Sequence, residues 1–502
     1  MKRRRMLALL LAALMLSGCA APAVMPEEFP PADTTAAPAS PYEAPIGDAG
    51  LSYEAQAALC LPSRDGQRLL TLYETLTFSY SQPPAETILR ALLAHEGTAR
   101  AQRLGGSVPL SLVGRDPVEV SCGVATINLS PNALLLTPQE LHTVCQAITA
   151  TLCQLEDVSY VNVLTAGYAP AMDASGCLPL GTLTAQPGDD LPVLWEQLSA
   201  RRAPEGEKPA ATALTAEATL YFPLADGSGI VPEVRRISFI GQHPQQLCLA
   251  LLDALSGGAD VLEGVSDLPD LTALMAAAPV VTALEDGGVS MTLYFSADLR
   301  SWMEAAGADP ACTFAAIVHT LTTFVPGLRQ VCMLTGDRAV TSVVNTAQGS
   351  RLFPGGLHTR ADYSGYLLAR ASVFHPDDGL LAPYAIALPY RSVRSPRALL
   401  LALAALEDDL AVLPARLTDA DVLGLRVSGD TLLVNLSARY ADVIRQSGMD
   451  QRLMAYAIVN TLCRGLDVRR VRFFFGSEEL TTLGGSLVWS GEFFYNPGLI
   501  RR

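Results

Sequence analysis

The six histidines of this 502-residue chain are the first candidates for metal or acid–base chemistry, and their spacing argues against both. They stand at positions that do not match between the repeated parts of the sequence: His95, His142, His243, His319, His358 and His375. Zinc enzymes use pairs such as H-x-x-x-H or H-E-x-x-H, which are absent here. The sequence also lacks a G-x-S-x-G, a Walker loop and a G-x-G-x-x-G. We therefore expect no metal, no cofactor and no catalytic residues.

Two cysteines and two aspartates recur at equivalent positions and are weak candidates for nucleophilic or carboxylate chemistry. Cys153 and Cys463 each follow a Thr-Leu pair, but the second copy of this motif has Thr322 instead. A role in packing therefore fits these cysteines better than redox or nucleophilic chemistry. Asp157 and Asp467 follow the same motif without a second repeated acid, so a loop position near a helix end is favoured over catalysis.

An aromatic cluster near the C-terminal end leaves two interpretations open. Its members are Phe473, Phe474, Phe475, Trp489, Phe493, Phe494 and Tyr495. Packing in a core and a hairpin is one interpretation. The other is an exposed interface with Trp489, Phe493, Phe494 and Tyr495 as contact residues, because aromatic side chains commonly anchor protein–protein contacts.

The motif that carries the two cysteines identifies a repeated unit. It reads AITATLC at 147–153, AIVHTLT at 316–322 and AIVNTLC at 457–463. Each copy is preceded by Pro and Asp-Gly within a β-rich stretch, by a helix that begins with proline, and by an alternating strand with its own hairpin turn. A final strand follows each motif. The order hairpin, helix, hairpin, helix, strand predicts an α+β fold of three tandem repeats, each with a mixed or antiparallel sheet and helices on one face.

The repeats set the expected domain boundaries. They predict repeat 1 at 51–183, repeat 2 at 213–348 and repeat 3 at 366–502, with linkers at 184–212 and 349–365. Each repeat has a size within the usual range of domains.

The N-terminal residues indicate export and a membrane anchor. Four basic residues at 2–5 precede a short apolar run from Met6 to Leu16, as in a secretory signal peptide over 1–18. The following Leu16-Ser17-Gly18-Cys19 resembles the lipobox of bacterial lipoproteins, which implies lipidation of Cys19 and anchoring on the extracytoplasmic side of the cell membrane. Residues 19–50 contain seven prolines after Cys19 and no basic residue, which predicts an extended spacer.

The acidic charge limits the class of partner. Removal of the signal peptide would take away four positive charges, so the net charge of −15 would become −19. Nucleic acids and anionic lipid headgroups bind basic surfaces, so neither is expected as the main partner.

Taken together, the repeated motifs resemble the GerMN domain of bacterial sporulation and spore-germination proteins. The resemblance rests on the YFP..DG opening at 221–227, the V-N-L-S strand at 434–437, the A-I-x-x-T-L helix followed by V-x-x-V at 468–471, and WSGEFFYNPG at 489–498. It implies a non-enzymatic assembly module that binds cell-envelope or sporulation proteins or peptidoglycan. Family members typically carry two such domains, so three is a departure.

Two other functions remain open from the sequence. The chain could be an extracellular solute-binding lipoprotein, which would favour two lobes with parallel sheets. A cell-wall-active enzyme is the third alternative, and it would need a carboxylate or metal constellation. The sequence does not determine the partner or whether copies of the protein form an oligomer.

Overall fold

The helices and strands form where proline, Asp-Gly and capping residues predict their ends. The structure is a computed structural model that describes residues 42–186, 190–201, 213–345, 349–407, 409–466 and 468–501. The predicted signal peptide, Cys19, most of the spacer and Asp467 lie outside these residues. Residues Ala44–Arg502 form one compact unit, whose first element is the short strand β1 (Gly47–Asp48).

The first segment opens with a long hairpin whose Asp65-Gly66 turn lies at the predicted place. Its elements in order are β2 (Ser52–Pro62), β3 (Leu69–Ser79), α1 (Pro84–Ala94), β4 (Val118–Ser121), β5 (Gly123–Leu129), α2 (Pro138–Leu152), β6 (Val158–Thr165) and α3 (Leu191–Ser199). A capping box starts α2: the Glu140 N–H donates to Thr137 Oγ1, and the Thr137 N–H donates to Glu140 Oε2 (2.8 Å).

The second segment repeats this order and adds elements to it. Its elements are β7 (Leu214–Pro223), β8 (Ile230–Phe239), α4 (Pro244–Ser256), β9 (Met275–Ala283), β10 (Val289–Phe295), α5 (Asp298–Ala306), α6 (Pro310–Phe324), β11 (Leu328–Thr335), β12 (Arg338–Ala339), β13 (Ser342–Asn345), β14 (Gly349–Leu352) and β15 (Leu357–His358). Asp309 caps α6 by accepting from the Cys312 N–H at 2.9 Å.

The third segment has the same order again. Its elements are β16 (Leu368–Asp377), β17 (Leu380–Pro389), α7 (Pro396–Leu403), β18 (Val422–Ser428), β19 (Thr431–Leu436), α8 (Ala438–Gln446), α9 (Gln451–Leu466), β20 (Arg470–Phe475) and β21 (Glu492–Phe494). The turn between β16 and β17 is formed by Asp378 and Gly379, both at positive φ (50° and 78°), as a two-residue hairpin turn requires.

Each segment contains a sheet in which the first two strands are antiparallel and the last two are parallel. These are β4-β5-β6, β9-β10-β11 and β18-β19-β20, and the second and third are extended by further short strands. The parallel pair requires a crossover, which α2, α6 and α9 provide. The α+β class with small mixed sheets is thereby confirmed.

The repeated helix is buried because it lies between two layers. Helices α2, α6 and α9 each pack against the opening hairpin on one side and against the last strand of the sheet on the other. In all three the threonine of the motif accepts a hydrogen bond from a strand N–H at 3.0 Å: Thr151 from Cys60, Thr320 from Tyr221 and Thr461 from Phe374. Each of these donors stands two residues before a proline that ends the strand or lies next to its end.

Helices α5 and α8, which the sequence analysis missed, lie between the alternating strand and the repeated helix. The Ser437 side chain caps α8 by accepting from the Tyr440 N–H, and Tyr440, Ala441 and Ile444 are buried on one face. The serine of the V-N-L-S motif, which was predicted as part of a strand, is the N-cap of this helix.

The two predicted linkers carry ordered structure. Helix α3 lies within 184–212, and its Leu198 is buried in the first hydrophobic core. Within 349–365, Phe353 and Tyr363 are buried in the second core. The repeat boundaries stay a prediction from the sequence. The hydrophobic cores of the first and second segments include residues of the predicted linkers.

Candidate functional site

The C-terminal aromatic residues divide into a buried and an exposed group. Trp489 and Phe493 are 1% and 6% exposed and lie in the third hydrophobic core. The Trp489 ring packs against Phe473 and Phe475 with centroids 5.3 and 5.4 Å apart. For Trp489 and Phe493 the structure therefore supports packing in the core and not an exposed interface.

The other two predicted contact residues face solvent. Phe494 is 56% exposed and Tyr495 is 36% exposed. Phe494 lies on the edge strand β21, where the Arg470 guanidinium stands 5.6 Å from its ring centroid. Strand alternation explains the division, because Phe493 and Phe494 point to opposite faces of the same strand.

The C-terminal segment is held over the start of α9 by one glutamine. The Trp489 indole N–H donates to Gln451 Oε1 at 3.0 Å, and Gln451 Nε2 donates to the Leu483 carbonyl at 3.0 Å. Gln451 is the first residue of α9. These bonds fix the position of the segment that precedes Phe494 and Tyr495.

The structure describes three of the candidate nucleophiles and acids, Cys153, Cys463 and Asp157, and neither thiol is activated. Burial raises the pKa of the Cys463 thiol to about 12 and also raises the pKa of Cys153, so both thiols stay protonated near neutral pH. Asp157 is exposed in a loop. Across the described ranges there is no group of three or more His, Cys, Asp or Glu side chains suited to a metal ion.

Three histidines are instead buried in the fold. Burial lowers the pKa of His142 and His358 to about 4 and lowers that of His319 well below 6.5. The nearby Arg360 guanidinium also lowers the pKa of His319. His319 lies edge-on to the Tyr221 ring, with centroids 5.0 Å apart. These neutral imidazoles serve in packing.

The sequence did not predict a buried ion pair between distant parts of the chain. Arg360 donates to Glu119 of the first segment, to Tyr221 Oη of the second (3.1 Å) and to Thr323 Oγ1 (2.7 Å). Both charged side chains are 9% exposed. Arg360 lies in a predicted linker, 241 residues from Glu119 in the sequence. Only the tertiary structure therefore reveals the contact.

The start of the folded unit is joined to the third segment. Strand β1 pairs in parallel with Gly424 and Leu425 of β18. Asn435 Nδ2 donates to the Pro45 carbonyl at 2.8 Å, and Arg397 pairs with Asp48 at 2.7 Å. The chain therefore enters the folded unit beside its last segment. Within the described part of the chain, no helix is both long and apolar enough to cross a membrane.

The fold defines a protein built from small α+β units, each with a mixed sheet. Residues 377–481, about one fifth of the chain, match the family model "Germane: Sporulation and spore germination". The third segment therefore contains a GerMN-like domain, as its motifs predicted. This match supports a role related to sporulation.

The solved structures that are similar to this chain include the following three. The tandem GerMN domains of the sporulation protein GerM from Bacillus subtilis are 17% identical, with 61% of this chain and 99% of that chain covered at a TM-score of 0.21. The first GerMN domain of the same protein is 17% identical, with 27% and 96% covered at 0.19. A putative lipoprotein from Clostridium perfringens is 16% identical, with 24% and 78% covered at 0.16. Comparison with curated proteins gives no significant match.

Proposed function

We propose that this chain is a lipid-anchored, extracytoplasmic protein of sporulation or spore germination that acts as a non-enzymatic assembly module. The observation that carries the proposal is the match of residues 377–481 to the Germane family. The lipobox-like sequence before Cys19 supports the anchor, since two acyl chains on one residue give stable membrane attachment.

The proposed partners are envelope proteins of the sporulating cell or peptidoglycan. The proposed assembly also includes oligomers of the chain itself. The exposed aromatics Phe494 and Tyr495 support contact with a partner, because aromatic side chains contribute strongly to interfaces. The net charge of −15 disfavours nucleic acids and acidic surfaces.

The anchor is tested by a Cys19→Ala variant expressed in a spore-forming host. We expect the wild-type chain in the membrane fraction and the variant outside it. An unchanged distribution would refute anchoring through Cys19. Deletion of the gene should lower spore yield or germination and leave vegetative growth intact; normal sporulation and germination in the deletion strain would argue against the role.

The assembly role is tested by crosslinking in sporulating cells. The double variant Phe494→Ser, Tyr495→Ser should recover fewer envelope partners and keep its melting temperature, since both residues are exposed. The double variant Leu134→Ser, Leu135→Ser removes two exposed apolar residues from the first segment and is the control. Equal recovery with both double variants would exclude the aromatic surface.

A further inference from the structure

A short extended stretch at the end of the first segment, here called the joining strand (residues 181–183), links this segment to the second. On one side Leu183 exchanges two backbone hydrogen bonds with Val161 of β6, at 2.8 and 2.9 Å. On the other side the Thr182 N–H donates to the Glu217 carbonyl of β7 at 2.8 Å. The joining strand therefore connects the sheet of one segment to the opening hairpin of the next.

The joining strand lies close against β7. The Thr182 and Thr219 hydroxyls are 2.9 Å apart, and a Cβ at Gly181 would lie 3.0 Å from the Glu217 carbonyl oxygen. Gly181 has a φ of +76°, so glycine both shapes the backbone here and allows the close approach. The contact covers the outer edge of β7, which is the edge that does not pair with β8.

Strand β21 of the third segment is the equivalent of the joining strand. Phe493 pairs with Val471 of β20 as Leu183 of the joining strand pairs with β6. This aligns Gly491 and Glu492 with the first two residues of the joining strand.

The outer edge of β21 is open. Gly491 also has a positive φ (+112°), and within the described chain no atom beyond its two neighbours in sequence lies within 4 Å of a Cβ built there. Strand β21 is the last strand of its sheet, so the backbone groups of Glu492 point away from β20 with no strand beside them. The adjacent Phe494 is 56% exposed. The third segment thus presents the edge that the joining strand uses, but with no hairpin against it.

Strand β2 of the first segment is the equivalent of β7. Each opening hairpin donates one N–H to the threonine of the repeated helix, from Cys60 in β2 and from Tyr221 in β7. Counting back two residues aligns Ala58 with Thr219. The outer edge of β2 therefore corresponds to the edge of β7 that the joining strand covers.

The outer edge of β2 borders an open groove of about 790 Å³. Gln56 and Ala58 line it on one side, and Arg464 of α9 lines it on the other. The Ala58 carbonyl accepts one long hydrogen bond, from Gln154 Nε2 at 3.4 Å. Gln56 is exposed and aligns with Glu217, and within the described chain its outward backbone groups have no hydrogen-bond partner.

The third hairpin has a neighbour at the same edge. There the Ser121 hydroxyl of the first segment donates to the Leu368 carbonyl of β16 at 2.6 Å. The equivalent edges of β7 and β16 are therefore both covered by other parts of the chain, whereas that of β2 faces the groove. An uncovered strand edge is a template for pairing with another strand.

We propose that the outer edge of β21 in one copy of the chain pairs with the outer edge of β2 in a second copy, as the joining strand pairs with β7. The Glu492 N–H would donate to the Gln56 carbonyl, and the Glu492 side chain would lie beside Ala58. The two copies use different surfaces, so the contact is head-to-tail and further copies can add to it. This inference rests on the proposed assembly function and makes a second copy the partner at this edge.

A disulfide between two single variants tests the contact directly. Ala58→Cys and Glu492→Cys are mixed and oxidised with diamide, because their equivalents Thr219 and Thr182 touch within the chain. We expect a disulfide that joins the two variants, identified by peptide mass spectrometry. Leu134→Cys, at an exposed position away from both edges, is the control and should not be joined to Glu492→Cys. A disulfide between two Ala58→Cys chains in its place would indicate a symmetric dimer and overturn the proposal.

Analytical ultracentrifugation of the purified chain tests the association without a cross-link. We expect an average mass that rises with concentration. Ala58→Arg places a bulky charge at the edge of β2 and should weaken the association by ~10-fold or more. Ala277→Arg makes the same change at an exposed position of the edge strand β9 and should leave it unchanged.

Each variant is checked for an unchanged melting temperature. A wild-type chain that remains a monomer across the whole concentration series would overturn the proposal. Association that survives in well-folded Ala58→Arg would do the same.

Experiments in sporulating cells separate this inference from the proposed function. Cross-linking of Ala58→Cys to a different protein, and not to a second copy, would overturn the inference. If the deletion strain sporulates poorly and Ala58→Arg restores sporulation fully, the inference fails while the proposed function stands. If the deletion strain sporulates and germinates normally, the proposed function fails, and a disulfide between Ala58→Cys and Glu492→Cys would still support the contact.

Discussion

At the scale of single residues, one threonine explains why the three central helices share a motif. A bulky residue would hold the helix away from the hairpin, whereas alanine and threonine allow close approach. The threonine hydroxyl then accepts a hydrogen bond from a strand N–H in the core. This N–H is not bonded to the other strand of the hairpin. The motif therefore encodes a helix-to-strand hydrogen bond as well as packing.

Thr320→Val should destabilise the chain by ~1–3 kcal/mol, because the buried Tyr221 N–H would lose its acceptor. The measurement is urea unfolding of both proteins. Thr322→Val is the matched control on the same helix, since the Thr322 hydroxyl donates to the Val318 and His319 carbonyls of the helix itself. A cost at Thr320 no greater than at Thr322 would contradict the role of this bond.

The buried histidines predict that stability falls in mild acid. The folded-state pKa of His142, His319 and His358 lies below the ordinary value of 6.5. Below pH 6.5 the unfolded chain therefore binds protons that the folded chain refuses, and the free energy of unfolding decreases as pH falls. Each histidine contributes up to ~1.4 kcal/mol per pH unit.

His319→Asn should reduce this pH dependence between pH 6.5 and 4.5, measured by urea unfolding at several pH values. Asparagine occupies the equivalent position of the third helix, at Asn460. The exposed His243→Asn is the control and should keep the wild-type slope. An identical slope for His319→Asn would show that His319 titrates in the folded state as it does in the unfolded chain.

At the scale of elements, the edge strands β4 and β18 of the first and third sheets have different neighbours. Strand β4 of the first segment is covered by the third segment, where the Ser121 hydroxyl donates to the Leu368 carbonyl at 2.6 Å. Strand β18 is covered by β1. Gly424 allows this approach, because a Cβ there would lie 2.4 Å from the Pro45 carbonyl oxygen.

Gly424→Ala should displace β1 from the sheet and leave the rest of the third segment folded. We expect faster hydrogen exchange or proteolysis at residues 44–50, followed by mass spectrometry. Ser428→Ala, on the same strand but away from β1, should leave exchange there unchanged. Wild-type protection of residues 44–50 in the glycine variant would mean that the backbone adapts to the added methyl group.

At the scale of the whole molecule, buried polar contacts join the segments. Arg360 contacts Glu119 and Tyr221. A second set links Asn162 of the first segment to Thr219 of the second at 2.9 Å. Buried charges are tolerated only when they are paired, so these contacts fix how the segments meet.

Arg360→Leu should destabilise the chain by ~3–5 kcal/mol, because Glu119 would remain buried without a counter-ion. The double variant Arg360→Leu, Glu119→Leu should regain part of that loss. Arg452→Leu removes an exposed arginine and should change the unfolding free energy by less than ~0.5 kcal/mol. Equal costs for the single and double variants would show that the unpaired Glu119 carboxylate is not the cause of the loss.

The sequence by itself determined the local order of this protein. Pro84, Pro244 and Pro396 each begin a helix, and Asp-Gly turns close each opening hairpin, because these signals act on neighbouring residues. Helical spacing of apolar residues placed the three central helices for the same reason.

Only the tertiary structure decided which surfaces are buried. It placed Trp489 and Phe493 in the core and Phe494 in solvent, paired β1 with β18, and buried Arg360 against Glu119. Each of these outcomes depends on contacts between residues far apart in the chain, which local pattern does not encode.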